Sequence, residues 1–102
     1  MSDSAEDFFK EAMLQKSFKK YSFAAEFLEK AVEISPDNVK YRKELAELYA
    51  LASNFKRTYE QYKIAKELAP NDKTIDEKIT ELFSSMKENI SLDEVSGDDD
   101  DD

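Results

Sequence analysis

Two prolines, 34 residues apart, divide this chain. Pro36 lies in Ile34-Ser35-Pro36-Asp37-Asn38 and Pro70 in Leu68-Ala69-Pro70-Asn71-Asp72. A residue before proline is pushed out of the helical region, so each segment ends a helix. Each then offers Asp or Asn to cap the next one. Superposed at this offset, 5–38 and 39–72 agree at Ala12 with Ala46, Tyr21 with Phe55, Glu26 with Glu60, Ala31 with Ala65 and Glu33 with Glu67. Self-similarity at a period of 20–50 residues is the mark of a stacked repeat array.

The periodicity inside each copy is helical. Asp3 or Ser4 is placed to cap a first helix carrying Ala5, Phe8, Phe9, Ala12 and Met13. The stretch Lys19–Ser22 breaks it, and a second helix carries Phe23, Phe27, Leu28, Ala31 and Ile34. In the second copy Tyr41, Leu45, Ala46 and Tyr49 form one stripe, and Phe55, Tyr59, Tyr62, Ala65 and Leu68 the next, divided by Ser53-Asn54. A fifth helix over 73–90 carries Ile75, Ile79, Leu82, Phe83, Met86 and Ile90. These are i, i+3, i+4, i+7 spacings, so an all-α fold is predicted. One glycine in 102 residues leaves little turn chemistry for a sheet.

The charge separates into two parts. Of 24 acidic residues, seven fall in 91–102 with no basic residue among them, which leaves 17 acidic against 15 basic in 1–90. A near-neutral helical domain (1–90) followed by a disordered acidic tail (91–102) is expected. Nucleic-acid binding needs a basic excess, which neither part has. No apolar run approaches a membrane span of roughly 18 residues, and the polar, acidic start is unlike a signal peptide. A soluble, cytoplasmic protein is therefore expected. Without cysteine or histidine there is no disulfide, no thiolate or imidazole metal site and no chemistry of those side chains. No base, nucleophile or phosphate-binding loop stands out either, so no enzymatic role and no cofactor are expected.

The repeated residues resemble the tetratricopeptide repeat, a 34-residue helix–turn–helix unit. In the second copy the pattern is carried by Leu45-Ala46, Tyr49, Phe55, Thr58, Tyr62, Ala65 and Pro70. The first copy carries it in Tyr21, Ala24, Leu28, Ala31 and Pro36. In its first helix Phe8 takes the tryptophan position, and Glu11 and Gln15 depart from the pattern. The resemblance implies a short helical solenoid of two repeats (5–38 and 39–72) closed by a capping helix (73–90). It also implies a concave groove lined by the first helix of each repeat, where family members hold peptides. On this sequence the groove positions are Phe9, Met13 and Lys16, then Lys40, Lys43, Glu47, Ala50 and Leu51, with Glu77 and Glu81 from the capping helix. The carboxylate clamp of chaperone-binding members is absent, because glutamates occupy positions where it needs cations.

The groove reading is strengthened by the apolar arc of the first helix, about 140° wide against about 100° in the closing helix. Phe9 and Met13 widen it beyond what packing needs, although both would equally serve to pack on the second repeat or on a second copy. The expected role is a protein-interaction adaptor that docks a peptide or helix of a partner. Two alternatives stay open: an acidic-tailed chaperone for a basic client, and a structural subunit forming a homodimer through helix one. The lysines of 16–20 and 40–43 read as solvated helix surface or as contacts to an acidic partner.

Overall fold

The structure is a computed structural model and describes residues 4–89; the acidic tail, Ile90 and Asp3 lie outside the described residues. It is all-α, with five helices: α1 (Ala5–Ser17), α2 (Tyr21–Ile34), α3 (Val39–Leu51), α4 (Phe55–Leu68) and α5 (Lys73–Asn89). Among the described residues there is no strand. No helix there is long and apolar enough to cross a membrane.

The helix bounds recur at the sequence offset of 34, with α1, α3 and α5 opening at 5, 39 and 73, and α2 and α4 at 21 and 55. The caps recur too. Ser4 forms a capping box with Asp7, its hydroxyl accepting from the Asp7 amide and the Asp7 carboxylate accepting from the Ser4 amide. The Asn38 side chain accepts from Tyr41 N–H at 3.0 Å, and the Asp72 carboxylate accepts from Thr74 N–H at 3.0 Å. Each cap satisfies an amide that the helix itself leaves unpaired. After the prolyl breaks the same backbone bond returns, Asn38 N–H to Ser35 C=O at 3.2 Å and Asp72 N–H to Ala69 C=O at 3.0 Å.

Within each pair the turn is tight and made without glycine. Lys19 (φ 63°) and Ser53 (φ 62°) occupy the left-handed region. There the next amide reaches back, Lys20 N–H to Gln15 C=O and Asn54 N–H to Tyr49 C=O. This conformation costs a residue bearing a Cβ about 1–2 kcal/mol. The paired helices then run antiparallel through a seam of small side chains. Ala12, Ala24 and Ala31 in the first pair and Ala46 and Ala65 in the second are all fully buried. Thr58, the counterpart of Ala24, is also buried, and its hydroxyl donates to Asn54 C=O at 3.0 Å.

Between pairs, α2 packs on α3 and α4 on α5. Leu28, Leu45 and Leu48 fill one continuous cluster that joins the first pair to α3. Tyr62 and Ile75 belong to a second, which joins the second pair to α5. Two expectations need correction. The buried face of α2 is Ala24, Ala25, Leu28, Ala31 and Val32, whereas Phe23 and Ile34 are more than half exposed. At 100° per residue this face is rotated by roughly 80° from the expected stripe, because α2 lies between two close neighbours and its small residues take the contacts. Phe83 is also 50% exposed; its ring lies 5.4 Å from that of Tyr59 at the surface, while Leu82 beneath is buried. Leu82→Ala is therefore expected to cost about 2–5 kcal/mol and Phe83→Ala about 1–2 kcal/mol. Urea unfolding of the two variants separates them, and equal losses would put Phe83 back in the core.

Candidate functional site

The groove residues expected on α1 and α3 fall into two groups. Glu47, Ala50 and Leu51 lie along the C-terminal half of α3 and form one wall of an open groove of about 380 Å³. Its other walls are Phe55, Thr58 and Tyr62 from α4 and Lys78, Glu81, Leu82 and Ser85 from α5. Leu51 is 44% exposed, an apolar side chain at the rim. Leu82 and Tyr62, both buried, form the floor. Of the two capping-helix residues expected here, Glu81 reaches the groove and Glu77 does not line it.

Phe9, Met13, Lys40 and Lys43 belong to the packing of α1 on α3 and of α3 on α5. The Phe9 ring stacks on Tyr41 with centroids 5.2 Å apart, and the Lys40 ammonium sits 4.8 Å from the Phe9 centroid. Met13 and Phe9 are partly buried against the first core cluster. Their place on the first helix is used in joining the repeats. Lys43 and Glu47, one helical turn apart, have different ion-pair partners. The Lys43 ammonium donates to Asp72 and to Thr74 Oγ1, each at 2.9 Å, and so ties α3 to the start of α5. Lys16, reaching across from α1, holds Glu47 at 3.4 Å and Glu44 at 3.6 Å.

The groove is polar on one side and electronegative. Burial pushes the Tyr62 phenol up to about 12, with the Glu47, Glu81 and Glu44 carboxylates adding to it. Lys78 tempers this rim through an ion pair with Glu81 at 3.6 Å. On the other face, burial and a hydrogen bond to Glu29 likewise raise the Tyr49 phenol to about 12. Among the described residues no group of three or more histidine, cysteine or acidic side chains is placed to hold a metal ion. The arrangement suits the capture of an apolar side chain flanked by a cation.

From the sequence, Phe55 and Tyr62 read as packing residues alone, and nothing marks Lys78, Leu82 or Ser85 as part of the site. The signal for Phe55 was present, since it follows the Ser53 turn close to Ala50 and Leu51; Tyr62 lies two turns further along α4. The contribution of α5 depends on how that helix crosses, which periodicity does not encode. No family model matches this chain, and no curated protein matches it.

The Asp72 link makes stability pH-dependent. Hydrogen bonds from Thr74, then from Lys43, hold the Asp72 carboxyl down at about 2, against 3.8 ordinarily. A depressed carboxyl stabilises the fold fully above its unfolded value and loses that contribution as pH falls through the folded one. Stability should therefore drop between pH 3.8 and about 2, and Asp72→Asn should flatten the drop in a pH series of urea midpoints. The buried phenols act at the other end. With Tyr49 and Tyr62 raised from 10 to about 12, stability is full below pH 10 and declines as pH rises toward 12. Absorbance titration should show the Tyr49 and Tyr62 phenolates forming late in the folded chain, assigned with Tyr49→Phe and Tyr62→Phe; their forming near 10 would contradict the burial.

Proposed function

We infer that the chain is a protein-interaction module: a short tetratricopeptide-type solenoid that docks a peptide or a helix of another protein on its concave side. The contact centres on the groove of α3, α4 and α5, where an apolar side chain enters over Leu82 between Leu51 and Phe55. The observation that carries this reading is the exposed Leu51 at the rim of a groove with a buried apolar floor. An unpaired apolar opening with a polar rim is the usual form of a helix-in-groove or peptide site. Glu47 and Glu81 orient the bound segment by attracting its cationic side chains. The surface is small, so affinity is modest and depends on one or two anchor residues.

Peptides selected from a displayed library against the full chain provide the probe. Their titration into isotope-labelled protein should shift Ala50, Leu51, Phe55 and Ser85. Leu51→Arg should weaken binding by roughly tenfold or more, the loss of one anchor, with helix content unchanged. A chain ending at Ile90 should bind as well as the full chain. Shifts confined to Phe27 and Lys63, or binding that disappears with 91–102 and with added salt, would refute the groove and favour a tail-driven interaction.

A further inference from the structure

Three of the exposed large apolar side chains surround the α1–α2 turn: Leu14 at 47%, Phe18 at 61% and Phe23 at 56%. Moved along by the repeat of 34, they become Leu48, Ala52 and Arg57. Those three face the preceding helix pair. Leu48 is fully buried in the cluster it shares with α1 and α2. Ala52 and Arg57 line a crevice whose opposite wall is Ser22, Ala25, Glu26 and Glu29 of α2. Leu14, Phe18 and Phe23 therefore stand at the positions through which one repeat packs on the one before it. They are larger and more apolar, taken together, than the residues at the internal joint. The opposite end of the array differs: Glu77, Thr80 and Ser84 of α5 are polar and exposed, as a terminal helix requires.

We propose that this first face is a self-association surface whose occupant is a second copy of the chain, paired about a two-fold axis with the two α1 helices antiparallel. Charge decides the arrangement. Glu11 lies one turn before Leu14 on this face, beside Lys10, which is paired with Glu6 at 3.9 Å, and Asp7 of the capping box lies a turn further back; Lys19 and Lys20 follow Phe18 at its end. Neither lysine is paired with an acid among the described residues. Antiparallel pairing about a centre formed by Leu14 and Phe18 sets Glu11 of each copy beside Lys19 and Lys20 of the other, twice. Such a contact is isologous and closes at the dimer. Head-to-tail stacking would instead press this apolar face onto the polar face of α5. The groove of α3, α4 and α5 is left open, so this surface and the groove are tested separately.

Sedimentation equilibrium of the full chain at rising concentration should show a reversible monomer–dimer equilibrium that weakens with salt. Leu14→Glu combined with Phe18→Glu should give a monomer of unchanged helix content, since both side chains are solvent-exposed. Lys19→Glu combined with Lys20→Glu should weaken the dimer at low salt and supplies a second variant should the first lose helix. The chain has no cysteine, so Leu14→Cys should form a disulfide-linked dimer on oxidation and Ser84→Cys should not. A monomer at every concentration overturns the proposal and leaves the face to a foreign helix. A dimer indifferent to the Leu14 and Phe18 changes, or cross-linked through Ser84→Cys, overturns it as well.

Discussion

The rest of this structure depends on a seam of alanines. Ala12 and Ala31 in the first helix pair and Ala46 and Ala65 in the second are wholly buried where antiparallel helices meet. Without a side chain beyond Cβ, the backbones approach closely, and the larger residues are displaced to either side of the seam. There they meet the next pair. Leu28, Leu45 and Leu48 do not fill the middle of a hairpin; they fill the space between hairpins. Closeness within a pair is thus what produces a core between pairs, and the chain becomes a stack in which each unit is stabilised by its neighbour.

A stack has two ends, and this one treats them differently. At α5 the inward face supplies Ile75 and Leu82, while the outward face is polar. The Lys43–Asp72–Thr74 link and the Lys66–Asp76 ion pair, at 2.6 Å, fasten the beginning of that helix. The far half of α5 stands away enough to leave a groove against α3 and α4. At α1 the interface residues continue outward with nothing described to receive them. Ion pairs here hold helices in register more than they stabilise: Lys16 and Lys66 each bridge two helices and Lys43 ties α3 to the residue before α5, at partly exposed sites where such pairs contribute little energy.

Much of the architecture was legible in the sequence because its punctuation is local. Pro36 and Pro70 end helices by steric exclusion, and Ser4, Asn38 and Asp72 start them by capping, so boundaries follow from neighbouring residues alone. The turns after α1 and α3 were harder, since Lys19 and Ser53 take up positive φ without the glycine that ordinarily signals it. The faces were legible unevenly, although α2 and α3 each pack on two neighbours. On α3 the stripe Tyr41, Leu45, Ala46 and Tyr49 is the buried one; on α2, packed from two sides, small residues displaced the phenylalanines. The site suffered most. Glu47, Ala50 and Leu51 share a groove wall, as their helical spacing allows, but the stacking of Phe9 on Tyr41 joins two helices and no spacing within one helix records it. The walls given by α5 depend on a crossing geometry that no spacing records.

The claim that the seam governs the fold is tested most directly by adding the same volume at two positions of one helix. Ala46 lies in the seam, and Ala50, one turn later, lies on the groove wall. Leucine has nearly the helix propensity of alanine, so thermal or urea unfolding of Ala46→Leu and Ala50→Leu compares packing alone. The account predicts a loss of about 1–3 kcal/mol or more for Ala46→Leu, from overpacking, and a change within about 0.5 kcal/mol for Ala50→Leu. Equal effects at the two positions, or a seam that accepts leucine without loss, would contradict it.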